Sequence, residues 1–345
     1  MLNISKDYGT GRRSIPMLVW LMLIMLPAAI FALSLTMGKY DIGAGEAFRI
    51  LFHPLIPAKQ TWTPLAGNMV LQVRLPRIAA AMLVGAGLAV SGAVFQGIFR
   101  NPLASPYTLG VSNGAGFGAA LAILLVNHTF AIQGFALIFS LAAVGLTFLF
   151  SLRGRNSKVT MVLGGIIVGS LFSALVSLIK FIADPFEKLP TIVFWLMGSL
   201  SAVNRTLLLA SLPLFALSIA VIWLYRWRLN VLSLGDEEAK SYGVEVRRDR
   251  AVIIVCCSIL TAAAVSISGI VGWVGLVIPH LGRMLVGPDF RKLIPACICL
   301  GSSYLLLIDD LCRSLTAVEI PLGVVTAIVG TPLFAYFMLR EKVNW

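Results

Sequence analysis

An all-α polytopic membrane protein of about ten transmembrane helices, built as two inverted-repeat halves in a single membrane domain, is what this sequence predicts. Three observations point there. Of the 345 residues, 59% are hydrophobic and only 12% are charged, against roughly a quarter charged in soluble domains; mean hydropathy is +0.93. The stretch from Arg74 to Gly118 sets Gly85, Gly87, Gly92 and Gly97, then Gly110, Gly114 and Gly118, into apolar runs around a proline-broken patch, Arg100-Asn101-Pro102 to Pro106. Small residues let helix backbones approach closely in a bilayer, and broken backbone at membrane depth needs protein or a cavity around it. The expectation is two transmembrane helices packed tightly together around a break. Finally, a shift of 177 residues lays Ser91-Gly92 on Ser268-Gly269, Pro102 on Pro279 and Gly110 on Gly287. Five helices separate the copies, so the halves are inverted, a pattern common in transporters.

A spanning helix needs about 20 mostly apolar residues. On that rule the first covers 15–37, behind basic Lys6, Arg12 and Arg13; it is too long for a signal-peptide core and is expected to remain. The next four cover 78–98, 107–126, 132–152 and 159–182, followed by 207–225 and 251–268. A short, irregular eighth helix is expected where Gly269, Gly272 and Gly275 precede Pro279, and the last two cover 293–308 and 324–339. The amphipathic stretch 189–200 belongs near the outer surface. Placing the N-terminus inside puts most of the 27 lysines and arginines on the cytoplasmic side, so both termini are expected to face the cytoplasm of a cell membrane.

Several function classes drop out. The net charge of +12 is accounted for by basic cytoplasmic loops in contact with lipid headgroups, so no nucleic-acid partner is expected. The five cysteines (Cys256, Cys257, Cys297, Cys299 and Cys312) form no CxxC pair and no Cys/His ligand set, so neither a metal site nor a disulfide framework is expected. They suit small buried hydrophobes. No G-x-x-x-x-G-K-[ST] phosphate loop occurs, so the chain does not cradle ATP in the usual way. With no nucleophile–base–acid set either, it is read as no enzyme and as carrying no cofactor.

Two polar features stand out from the apolar background. Between the sixth and seventh helices, Leu234-Gly235 followed by Asp236-Glu237-Glu238 starts a short helix, with carboxylates at the positive end of its dipole. Ala239 lies inside it and Gly243 ends it. On the fifth helix, Ser170, Ser173, Ser177 and Lys180 fall at spacings of three, four and three, which makes one polar stripe. Packing and a solute pathway fit that stripe about equally, and the lysine at its outer end favours the pathway. Asp309, Asp310 and Arg313 read as a structural ion pair near Glu319. His280 reads as a hydrogen-bonded packing residue.

Arg74-Leu75-Pro76-Arg77, Ser91-Gly92, Gln96, Arg100-Asn101-Pro102-Leu103-Ala104, Leu109-Gly110, LGDEEAKSYGV (Leu234–Val244), SGIVGWVGLVIPHLGR (Ser268–Arg283) and EIPLGVVTAIVGTPLF (Glu319–Phe334) together resemble the FecCD-type permeases. These are membrane subunits of ABC importers for ferric siderophores, haem and cobalamin. The resemblance implies that two permeases pair, as copies or paralogues, with the pathway between them. It implies that Gly235, Asp236, Glu237, Glu238 and Ala239 form the coupling element seated on a cytoplasmic ABC ATPase, which alone binds ATP. It also implies that Arg74, Arg77 and Arg313 face outward and receive glutamates from an extracytoplasmic substrate-binding protein, arginine being suited to bidentate pairing. The expected cargo is an iron–siderophore or similar metal chelate. An ion-gradient-driven secondary transporter is the alternative; it would want carboxylates at the bilayer centre, and helices two to five carry none.

Overall fold

Residues 15–53, 60–153 and 158–340 are described in this computed structural model. Lys6, Arg12 and Arg13, named above, lie outside them. The helices are α1 (Met17–Thr36), α2 (Ala44–Phe52), α3 (Pro64–Asn68), α4 (Leu75–Phe99), α5 (Val111–Leu125), α6 (Thr129–Arg153), α7 (Lys158–Ile182) and α8 (Lys188–Leu196). After these come α9 (Arg205–Leu224), α10 (Arg226–Leu234), α11 (Asp236–Ser241), α12 (Val246–Ser268), α13 (Val274–Val286), α14 (Phe290–Ser314) and α15 (Leu322–Arg340). Among the described residues, seven helical stretches are long and apolar enough to cross a bilayer, and α5, α13 and α15 are shorter apolar helices. Each of the ten predicted segments is therefore helical.

The second predicted segment starts much earlier than expected. α3 runs through a wide π turn, Met69–Arg74, into α4, giving one helical stretch from Pro64 to Phe99. Pro76 explains the wide turn. Its ring has no N–H to continue the ladder, and just before it the Leu75 N–H reaches back five residues to the Val70 carbonyl, the spacing of a π-bulge. Arg74 and Arg77 consequently sit on a helix rather than in a loop.

α4 is the core of the bundle, with 83% of its most apolar window buried. Its glycines are contact points for other helices. A Cβ on Gly85 would run into the Gly301 carbonyl of α14, and one on Gly301 would run into Gly85 in return. A Cβ on Gly92 would run into the Gly275 backbone of α13. This corrects the expected pairing around the break: α4 packs on α14, α12 and α13, whereas α5 packs on α6 and α7. The Gly114 and Gly118 positions of α5 abut the Phe139 and Phe135 carbonyls of α6. In bilayers such close backbone approach substitutes for the missing hydrophobic drive between helices.

The two breaks differ from expectation in position. At the first, Arg100 takes a left-handed conformation (φ 50°) as the cap of α4, the Asn101 side chain accepts the Leu103 N–H at 2.9 Å, and Pro102 lies in the following turn. A single 3₁₀ turn, Pro106–Leu109, then leads through left-handed Gly110 into α5. At the second, Gly269 caps α12 with φ 67° and Gly272 lies in the open segment before α13. Pro279, however, sits inside α13. Because proline cannot donate to the carbonyl four residues back, the Gly275 carbonyl is freed, and the Gln96 side chain of α4 donates to it at 3.3 Å and to the Leu276 carbonyl at 3.4 Å. The Gln96 carbonyl oxygen accepts in turn from Arg283. The 177-residue shift thus aligns positions with unlike backbones: Gly92 is mid-helix where Gly269 is a cap, and Pro102 is in a turn where Pro279 is in a helix.

Candidate functional site

Chemistry-bearing residues collect at two opposite ends of the bundle and along one face of α7. At one end, α10 and α11 form a compact knot between α9 and α12. Acids at Asp236, Glu237 and Glu238 fill the first turn of α11, where the helix dipole favours them. The helix closes as a Schellman cap: the Val244 N–H donates to the Ala239 carbonyl at 3.0 Å and the Gly243 N–H to the Lys240 carbonyl at 2.9 Å. Gly243 has φ 75°, a conformation that suits glycine. Ala239 is fully buried and anchors the turn.

Ion pairs fasten this knot to the long helices. Arg250 of α12 donates to Asp236 at 2.6 Å, Arg228 of α10 to buried Asp249 of α12 at 2.6 Å, and Asn230 of α10 to Asp289 at the start of α14 at 2.6 Å. Asn230 also accepts the Phe290 N–H at 2.8 Å. Glu237 remains almost fully exposed, and Lys240 meets its charge at 2.7 Å. That pairing, by hydrogen bond and charge, raises the Lys240 pKa above its ordinary value. A Cβ at Gly235 would overlap both the Glu238 carboxylate and the Arg100 guanidinium, so the RNPL turn after α4 approaches the LGDEEA segment. Sequence reading had not linked these two motifs.

At the other end, the three arginines are buried, with only 3% of Arg74, 9% of Arg77 and 6% of Arg313 exposed. Arg77 forks onto two carboxylates, holding Asp309 through Nε at 3.0 Å and Nη2 at 2.9 Å, and Glu319 at 2.9 and 3.0 Å. Arg313 pairs with Asp310 and donates to the Ser34 carbonyl at 2.8 Å, the Ser34 hydroxyl at 2.7 Å and the Met37 carbonyl at 2.9 Å. Arg74 donates to the carbonyls of Leu35 at 2.7 Å, Thr36 at 3.3 Å and Tyr40. The guanidiniums therefore tie the end of α1 and the 315–321 turn onto α4 and α14. The acids are structural partners, as expected, although Asp309 pairs chiefly with Arg77.

Burial would raise the Glu319 carboxyl, but hydrogen bonds and charge from Arg77, helped by Lys39 and Arg313, outweigh it and hold the group below the usual glutamate range. A carboxyl with a depressed folded pKa stabilises the protein at pH values above its unfolded value and loses that contribution as pH falls through the folded value. With an ordinary glutamate near about 4.3, thermal stability should be flat in this respect above pH 5 and decline only below about pH 4. Glu319→Gln should flatten the decline, as read by melting the purified protein across pH.

Along α7, Ser170, Ser173 and Ser177 share an exposed face and Lys180 is partly covered at its far end. The Ser177 hydroxyl donates to the Ser173 carbonyl at 3.0 Å. Ser170 and Ser173 border a polar pocket of about 440 Å³ with Tyr107, Thr108, Asn113 and Gly169. Asn113 donates to the Gly169 carbonyl at 2.9 Å, and Gly165 lets α7 close on the Thr108 carbonyl. His280 is buried with its ring beside Phe334 and Phe337, a packing position. Among the described residues no cluster of His, Cys, Asp or Glu is arranged to hold a metal ion.

This architecture is shared with known proteins. The FecCD transport family matches residues 23–340. The molybdate import system permease MolB of Haemophilus influenzae is 42% identical over 93% of this chain and 94% of its own length. The hemin transport system permease HmuU of Yersinia pestis is 36% identical over 89% and 92%, and a Helicobacter pylori protein named a probable iron chelatin transport permease is 39% identical over 79% and 83%. Among solved structures, an inward-facing conformation of a proposed metal-chelate type ABC transporter superposes with TM-score 0.85 at 41% identity, covering 94% of this chain and all of that one. With the helix order, the acid-first α11 and these matches in agreement, the chain belongs to the FecCD transport family and is a multi-pass ABC importer permease, not an enzyme.

Proposed function

We propose that this permease, a single membrane domain with both termini in the cytoplasm, pairs with a second copy or a paralogue. It is driven by two ATPase subunits that grip α11 and receives cargo from an extracytoplasmic binding protein at the arginine-rich end. The observation that carries the reading is the exposed acidic face of α11, which is braced to α12 by Arg250–Asp236, while the adjoining α10 is braced to α14 by Asn230–Asp289. A push on such a braced element moves two long helices that both pack on α4. The similar order of helix lengths in α4–α7 and α12–α15 supports two inverted halves, in a register other than 177.

Docking on the arginine-rich end rests mainly on the segments that the arginines hold in place. Direct capture of a glutamate requires exchange of partners, which suits Arg77, because its partner Glu319 is about a quarter exposed. The serine face of α7 borders the pathway, with Lys180 at its outer mouth. Hydroxyl and amide donors without a fixed carboxylate suit a metal-bearing anion. An iron–siderophore or similar chelate is the first reading. An oxyanion is the second, favoured by the 42% identity to a molybdate permease.

Uptake into vesicles holding this permease, a partner ATPase and a binding protein tests both levels. ATP-dependent accumulation of ferric siderophore, unaffected by excess molybdate, is the expected result. Strong competition by molybdate shifts the cargo to the oxyanion. Uptake that persists without ATPase and collapses with an ionophore overturns the importer reading.

A further inference from the structure

Beside the coupling knot lies a cavity of about 870 Å³ framed by α6, α7, α11 and α12. Its walls differ sharply in chemistry. The rim carries Lys240, Arg247, Arg248 and Arg250, and the floor is Phe148, Met161 and Ile254. The acids on the rim are Asp236, bound to Arg250 at 2.6 Å, and Glu245, which lies 3.8 Å from Arg248. Lys240 is itself paired with Glu237 at 2.7 Å, so four cations meet three acids, and the mouth keeps a single excess positive charge over an apolar base. The cavity sits where the charged first turn of α12 gives way to apolar residues at Ala251, level with the ends of α6 and α7, the kind of charged-to-apolar boundary at which a bilayer carries its headgroups.

We infer that this cavity seats an anionic phospholipid, with its phosphate diester on the rim arginines and the upper part of an acyl chain on Phe148, Met161 and Ile254. Basic pockets between helices on the cytoplasmic side of membranes attract such headgroups, each nearby Lys or Arg contributing on the order of a few-fold in affinity. The helix dipole at the start of α12 adds to the attraction for the phosphate. A soluble anion would use the rim but not the floor, and a zwitterionic lipid would use the floor while gaining little from the rim. A bound lipid also bridges α11 and α12. That consequence rests on the coupling role proposed above; the binding does not, so failures of the two are separable.

The test uses the purified full-length permease in a non-ionic detergent, with retained lipid read by native mass spectrometry and stability read by melting. Phosphatidylglycerol should be retained and should raise the melting midpoint by several degrees. Phosphatidylcholine and soluble glycerol phosphate should do neither. Arg247→Gln with Arg248→Gln should weaken phosphatidylglycerol binding roughly thirtyfold and leave the lipid-free midpoint unchanged. If that double variant is itself unstable, Arg248→Gln alone, whose side chain is 76% exposed, should weaken binding roughly fivefold. Equal retention of phosphatidylcholine, or a stability shift reproduced by glycerol phosphate, overturns the lipid assignment. So does undiminished phosphatidylglycerol binding in the variants.

Discussion

Glu237→Lys with Glu238→Lys is expected to abolish ATP-driven uptake while leaving the permease folded. Glu237 is 84% exposed at its side chain, and Glu238 is exposed at the start of the same helix, so neither holds the bundle together. Reversing charge on a surface made to meet a partner converts attraction into repulsion, which costs several kcal/mol at an interface. Roughly hundredfold weaker association with the ATPase follows from about 2.7 kcal/mol of that. Asp236 is left intact in this variant because Arg250 depends on it at 2.6 Å; including it would mix uncoupling with local unfolding. Co-purification of the ATPase, vesicle uptake and the melting midpoint are measured together. Normal ATPase retention with normal uptake would remove α11 from the coupling surface.

Arg77→Met should be the most destabilising single change at the arginine-rich end. It leaves Asp309, whose side chain is fully buried, with the longer 3.9 Å contact to Arg313, and releases Glu319 from its bidentate partner. Removing one member of a buried ion pair costs about 3–5 kcal/mol, because a charge remains uncompensated. Adding Asp309→Asn to the same chain should recover part of the loss, since a neutral amide is cheaper to bury. Arg77→Lys should fall between, because an ammonium cannot fork onto two carboxylates. A melting midpoint unchanged in Arg77→Met, with binding-protein docking lost, would make the residue a docking contact instead of an internal brace.

The difference between the two ends shows what a sequence can and cannot convey here. Helix α11 was legible because its signals are local: a glycine, three acids in the first turn and Gly243 five residues after the last of them. The arginines were legible as a motif but not as a geometry. The Arg313–Asp310 pair follows from helical spacing, but the other partners lie far along the chain, Asp309 and Glu319 for Arg77 and Ser34 for Arg313, and no spacing rule announces those. Gln96 is similar. Nothing near it in the chain reveals that it supplies a hydrogen bond to the carbonyl that Pro279 leaves free. The expected mutual packing of the helices around the first break went wrong for a related reason. Glycines mark where a helix face can be approached, but every helix in a glycine-rich bundle offers such faces, and only the assembled fold decides which ones meet.

Hydropathy over about 20 residues, turn residues and local caps by themselves determined the ten apolar segments and the acid-first helix, since each depends on neighbours along the chain, and the family was legible through the resemblance of its motifs. Tertiary structure alone decided that α4 is the central helix, that Gly85 meets Gly301, that Arg77 and Arg313 turn inward onto buried acids and that Arg74 turns onto backbone carbonyls. The physical reason is that contact between helices in a bilayer depends on matching of surfaces, which chain spacing does not encode.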